Sequence, residues 1–252
     1  MLINIADEKA PDRLCEIICY PSGNYEICRR RLNELYRMGV RHIVSIGRAR
    51  IGRLNVLGKG CESIVVAGIT EIDGIIAIKI RRLDSRRSTL SDEANRLIIA
   101  NSIGVGPKLL SFSRDFILME YIDGVKLVEF LDIGDKSKLV RVLLDILKQC
   151  YKLDRIGLVH KELSRADRHI LIRKSDLKPF ILDFETASLT SRGSNLTQVI
   201  SFLFIKPCTI STKISQILGT VDKTALIKLL KDYKKYRTRK IFEEILKLLH
   251  LS

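Results

Sequence analysis

"VLGKGCESIVV", residues Val56 to Val66, sets two glycines two positions apart inside a run of β-branched residues. Glycine weakens a strand interior unless a ligand or another backbone must come close. A hairpin turn would explain the pair by itself, so the reading depends on what surrounds it. From Gly52 to Ile80 the apolar segments "RLNVLGKG", "ESIVVAGIT" and "IIAIKIRR" are separated by glycine-containing turns, including "EIDG" at Glu71–Gly74. That pattern predicts an antiparallel meander. Fourteen residues after Val65 stands Lys79, with Ile78 and Ile80 on either side. Lysine in a core strand calls for a charged partner. Glu93, in the helical segment that follows, is the expected one.

The glycines now fit a nucleotide-covering hairpin, G-x-G-x-x-[small]-x-V. Gly58 and Gly60 would let amides of the Lys59, Cys61 and Glu62 segment lie over phosphate oxygens. Ser63 takes the third small position and Val65 closes the pattern. Lys79 would contact α- and β-phosphates.

Outward from this stretch, "YPSGN" is a turn signal closing an irregular start, residues 1–23. Asn24 can cap a helix reaching about Met38, and "VRHIVSIG" reads as a strand. "STLSDEANRLIIANSIG" reads as a helix with Ser91 as cap and Gly104 as stop. "GPKLLSFS" and "DFILMEYIDG" read as strands. After Gly124 the character changes. "KSKLVRVLLDILKQCYKLDRIG" is a long amphipathic helix, "HILIR" and "PFILDFE" are short strands, and residues from Asn195 onward are helical.

The chain has 252 residues, 46% of them hydrophobic and 29% charged, which is the balance of a globular protein with a sizeable core. No apolar run approaches the roughly 18 residues of a membrane helix. Acids stand near the N-terminus where a secretion signal carries basic residues, so a cytoplasmic protein is expected. Cys15, Cys19, Cys28, Cys61, Cys150 and Cys208 form no CxxC pair. Cys15 and Cys19 are four apart, but no second pair follows at zinc spacing, so the expectation is buried or semi-buried thiols in a reducing compartment. Net charge is +15. Residues 186–252 hold twelve Lys and Arg against four Asp and Glu, densest in "KDYKKYRTRK" at Lys231–Lys240. Such a run is either a solvated helix face or a surface for a polyphosphate such as RNA.

The order of glycine hairpin, strand lysine, helix glutamate and a strand ending "LMEYIDG" resembles the protein-kinase fold. The resemblance covers about Leu54 to Ala187. It implies an α+β, bilobal protein-kinase-like fold with a β-rich N-lobe carrying one main helix. The C-lobe would be small, mostly helical and without an activation segment. The implied boundaries are an extension at 1–51, an N-lobe at 52–123 and a C-lobe at 124–252. By the same resemblance, Met119 lines the back of an adenine pocket. The Glu120 carbonyl and the Ile122 amide bind the adenine edge. In "HKELSRADRHILI", Glu162 stands where the catalytic aspartate belongs. The metal-binding asparagine is replaced: counting from Glu162 puts Asp167 there, and aligning on "ILI" puts His169 there. The strand register is preferred, with Asp167 kept as the alternative. "DFE" places Asp183 as the Mg²⁺ ligand, and Glu185 replaces the usual glycine.

"GKGCESIVV", "IAIKIRR", "HKELSR" and "ILDFE" together resemble RIO-type atypical kinases, an archaeal group related to them, and the kinase of the KEOPS complex. The implied activity is ATP- and Mg²⁺-dependent phosphoryl transfer to Ser/Thr, autophosphorylation, or an ATPase switch. A winged helix often precedes such domains, and residues 24–50 are long enough for only part of one. The first alternative is a nucleotide-gated RNA- or ribosome-binding module using the basic C-terminal region. The second is a small-molecule kinase on the same fold.

Overall fold

The computed structural model describes residues 1–251. The chain is mixed α/β and divides into two compact units. One comprises Met1–Asn95 with Lys108–Tyr121, and the other comprises Arg96–Pro107 with the residues from Ile122 onward.

The first unit contains β1 (Leu2–Asn4), α1 (Ala10–Ile18), α2 (Tyr25–Arg37), β2 (Val40–Val44), β3 (Ala49–Ile51), β4 (Leu54–Val56), β5 (Gly58–Lys59), β6 (Ser63–Thr70) and β7 (Gly74–Arg81). The helix α3 (Ser91–Asn101) begins in it, and β8 (Leu109–Phe112) and β9 (Phe116–Glu120) complete it. A seven-stranded antiparallel sheet runs β1-β2-β6-β7-β9-β8, with β5 pairing the end of β6. The predicted antiparallel run therefore holds for β5, β6 and β7, whereas Leu54–Val56 of the first segment pairs with β3 in a separate two-stranded sheet. Gly74 closes the β6–β7 turn at φ +67°, a conformation open to glycine without strain.

Alternation along β7 gives the sheet two faces. Ile76, Ile78 and Ile80 enter one core with Leu14, Ile17 and Ile18 of α1 and Leu32 and Leu35 of α2. A smaller cluster of Leu90, Ala94 and Ile117 marks the opposite face: on β9, Ile117 alternates with Phe116 and Leu118, which belong to the first core, as a period of two requires. Lys79 pairs in register with Val65 and Ile117, which places it on this second face.

Residues 1–23 are not irregular. The β1 strand pairs with β2, and α1 follows with Pro11 in its first turn. Proline is tolerated there because that amide has no intrahelical acceptor. The spacing Ala10, Leu14, Ile17, Ile18 marks one helical face, all of it buried. Asn24 caps α2 as expected, its Oδ1 accepting from the Ile27 amide at 3.0 Å. Residues 1–51 thus supply two strands of the main sheet and the helices that cover one of its faces.

The second unit holds β10 (Gly124–Lys126), α4 (Leu127–Leu131), α5 (Lys136–Arg155), α6 (Ala166–His169), β11 (Ile170–Arg173), β12 (Pro179–Ile181), α7 (Asn195–Ile200), α8 (Thr209–Leu218), α9 (Lys223–Tyr236) and α10 (Arg239–Leu248). Its three short strands pair β10-β11-β12, all antiparallel. The long helix α5 buries Leu139, Val142, Leu143, Ile146, Leu147, Cys150 and Leu153 along one face.

Candidate functional site

In the first unit, Lys79 and Glu93 form an ion pair with Nζ and Oε1 2.7 Å apart, their side chains only 5% and 8% exposed. Taking both charges out of water costs several kcal/mol, which only close, well-oriented pairing offsets. The sheet fixes the lysine and the first turn of α3 fixes the glutamate.

The glycine hairpin, β5–β6, adjoins the strand β7 that carries Lys79. Gly58 pairs with Val65, which on its other side pairs directly with Lys79. The Gly60 amide donates to the Ser63 carbonyl at 2.8 Å, closing the turn. That leaves Cys61 and Glu62 at the tip, with Cys61 exposed and Ser63 buried. The Arg82 guanidinium donates to the Gly60 carbonyl at 2.8 Å. Both Arg82 and Lys59 lie over the Tyr20 ring. The Glu62 carboxylate accepts from Ser85 Oγ at 2.6 Å and the Arg86 amide at 2.9 Å. The Ser85 hydrogen bond leads in holding its pKa below the ordinary carboxylate value. Glu62 therefore anchors the hairpin. On the last strand, half-buried Met119 pairs with Ala77, while the Glu120 amide donates to the Lys108 carbonyl and its carboxylate accepts from the Lys108 amide. Ile122 is buried and belongs to the second unit.

In the second unit, the residues of "HKELSRADRH" meet those of "DFE". His169 Nε2 lies 3.1 Å from Glu162 Oε2, and its Nδ1 lies 3.9 Å from Asp183 Oδ2. His169 is buried while both carboxylates are about two-fifths exposed. It is therefore His169 that the fold sets between the two carboxylates. Asp167, on α6, is half-buried. Asp183 and Glu185 each present a carboxylate oxygen within 4.8 Å of the other. The Glu185 carbonyl accepts from Arg96 at 2.9 Å.

Two backbone conformations here are costly. Lys161 sits at φ +63° and Asp183 at φ +66°, both in the left-handed region. Each non-glycine residue held there costs on the order of 1 kcal/mol, and such strain concentrates at functional sites. The glycine missing from "DFE" is not what the turn demands, since the left-handed residue is the aspartate itself.

A buried polar network holds the strained loop. Asp154 on α5 accepts from Ser194 Oγ, the Asn195 and Leu196 amides, Asn195 Nδ2 and the Tyr233 hydroxyl. Burial outweighs these donors and raises its pKa. Asn195 Nδ2 also donates to the Leu158 carbonyl, and its Oδ1 accepts from the His160 amide at 2.8 Å. His160 Nε2 pairs with the Leu182 carbonyl at 2.8 Å, one residue before Asp183. Burial pushes His160 below the ordinary histidine pKa, so the neutral ring, donating through Nε2, is a strut. Sequence reasoning missed Asp154, Asn195 and Tyr233. One signal was present: Asp154 adjoins Leu153 on the apolar face of a long helix, where a carboxylate needs partners.

The basic run separates into two roles. Tyr233 is buried in the Asp154 network, whereas Tyr236 is 57% exposed beside Lys231, Lys234, Lys235, Arg239 and Lys240, all exposed. No helix among the described residues is long and apolar enough to cross a membrane.

No protein-family model matches the chain. An uncharacterized protein of Methanocaldococcus jannaschii, MJ1211, is 42% identical to it over 86 residues, which is 34% of this chain and 72% of the other.

Proposed function

This chain belongs to the family of the uncharacterized Methanocaldococcus jannaschii protein, and from the chemistry of its own residues we propose that it is an ATP-dependent phosphotransferase of RIO-like, bilobal kinase type. The observation that carries this reading is the buried Lys79–Glu93 pair, with Lys79 on β7, the strand that neighbours the β5–β6 glycine hairpin. A lysine with apolar strand neighbours, locked by a carboxylate, is a fixed cation suited to phosphate oxygens. In this reading, Glu93 orients Lys79 and the hairpin tip covers the phosphates.

The second unit supplies the acidic groups. Asp183 and Glu185 present hard oxygen donors, which suit Mg²⁺, and Asp183 is the residue assigned to hold it. Bound Mg²⁺ supplies charge neutralisation on the transferring phosphoryl group. The imidazole of His169 is a poor magnesium ligand, so the reading has one principal metal position. Glu162 orients the attacking hydroxyl, or a water in an ATPase, and His169 positions Glu162 by their 3.1 Å contact. Phosphoryl transfer depends mainly on positioning and electrostatics, so glutamate in place of aspartate slows the reaction without abolishing it.

Calorimetric titration of Mg-ATP into wild type and Lys79→Ala tests the reading. It predicts saturable binding by wild type and roughly tenfold or greater weakening in the variant. Equal affinities would refute it.

The exposed basic end of α9 and start of α10, with Tyr236 beside it, favours a second reading. There the unit binds RNA, with ATP as a gate. Affinity for a single-stranded RNA would then fall steeply with salt. A flat salt dependence would remove that reading and leave the first intact.

A further inference from the structure

The fold brings together three cysteines that the sequence keeps apart. Cys15 lies on α1, Cys19 follows its last residue, and Cys28 is in the first turn of α2. Their sulfur atoms all lie within 4.8 Å of one another. The spacing of four puts Cys15 and Cys19 on one side of α1, tied by the Cys19 amide to the Cys15 carbonyl at 2.9 Å. The turn through Gly23 and Asn24 then brings the first turn of α2 back against them. Cys19 and Cys28 are fully buried and Cys15 half-buried, so the cluster has a dry inner side and an approach from solvent.

We propose that Cys15, Cys19 and Cys28 form a three-thiolate site for a thiophilic divalent cation of the zinc type, clasping α1 to α2. Tetrahedral zinc with thiolate ligands at 2.3 Å spaces its sulfurs about 3.8 Å apart. The 4.8 Å that bounds the observed separations lies about 1 Å above that spacing. Three protein ligands leave a fourth position, on the half-exposed Cys15 side, for solvent.

Burial raises the Cys15 thiol, and the hydrogen bond with Cys19 together with burial raises Cys28, so a bound cation itself has to drive deprotonation. Cys28 sits at a helix N-terminus, where the backbone dipole stabilises negative charge. Arg31, 1% exposed, donates to the Ile18 carbonyl beside Cys19 at 2.7 Å. Its Nε has no hydrogen-bond partner among the described residues. Its Nη2 pairs with Asp115 at 3.1 Å, so Arg31 is a buried cation already balanced by a carboxylate.

Binding releases protons as thiols become thiolates, written as three R–SH plus M²⁺ giving M(SR)₃⁻ plus three H⁺. No oxidant takes part. The site does not depend on the phosphotransferase reading, since neither Lys79 nor Glu162 belongs to it.

Co²⁺ titration of the reduced, chelator-treated full chain tests the proposal, followed by Zn²⁺ displacement. One equivalent of Co²⁺ should give thiolate-to-cobalt charge-transfer absorption, and Zn²⁺ should abolish it. Cys15→Ser should weaken binding by more than about 100-fold, while Cys208→Ser should leave it unchanged. Zn²⁺ should also protect three thiols of wild type from a disulfide reagent. That readout needs no variant, should Cys28→Ser fail to fold. Absence of the charge-transfer band in wild type, its persistence in Cys15→Ser, or thiol reactivity indifferent to Zn²⁺ would each overturn the site.

Discussion

The two groups of candidate residues are built in opposite ways. In the first unit, Lys79 and Glu93 are dry, sit on regular elements, and bond each other directly. In the second, Glu162 and Asp183 are partly exposed, lie on turns, and rely on a buried scaffold of His160, Asn195 and Asp154. A strand and a helix can hold a charge rigidly without further help. A strained loop cannot, so its support lies one layer inward. The difference suggests where each half is fragile: the first at the pair itself, the second at groups that touch no substrate.

The largest effect should come from that inner layer. Asp154→Ala leaves several buried donors without an acceptor and should destabilise the protein by roughly 4 kcal/mol or prevent folding. Denaturant unfolding measures it, and a loss below about 1 kcal/mol would break the contrast between the two regions.

Next comes the pair. Lys79→Met alone strands a buried carboxylate and should cost about 3 kcal/mol. Adding Glu93→Leu should restore most of that, because a packed apolar pair can replace a buried ion pair. A double variant as unstable as the single would mean the pair is held for stability.

The His160 strut gives a pH signature. Its folded pKa is lowered by burial, so below pH 6.5 the unfolded chain takes up a proton that the folded protein refuses. Stability should therefore be full above that pH and fall as pH drops, by about 1.4 kcal/mol per unit at most from this group. The slope difference between wild type and His160→Gln isolates it, and identical slopes would deny the buried neutral ring.

Smallest is Glu162→Gln. Its carboxylate is 44% exposed, so its contact with His169 contributes less than about 1 kcal/mol of stability. The reading predicts a large loss of phosphoryl transfer with nearly unchanged melting.

Local signals explain what the sequence made legible. The hairpin glycines, the Asn24 cap, the β6–β7 meander and the Lys79–Glu93 pairing all follow from periodicity, turn chemistry or the cost of a buried charge. What stayed hidden was non-local or conformational. The β1 strand is three residues long and defined by its distant partner β2. The left-handed conformations of Lys161 and Asp183 leave no mark in residue type. Cys28 belongs with Cys15 and Cys19 only once α1 and α2 fold together. Tyr233 and Tyr236, alike in a basic run, part company because the helix turns one toward Asp154. The kinase-like arrangement of the two units stands as the proposal these residues motivate.

The most direct test takes the Lys79→Met/Glu93→Leu double variant, shown to be folded, and titrates it with Mg-ATP beside wild type. A phosphate-binding role for the pair predicts a folded variant whose nucleotide affinity is lost. Undiminished Mg-ATP binding by that variant would contradict it.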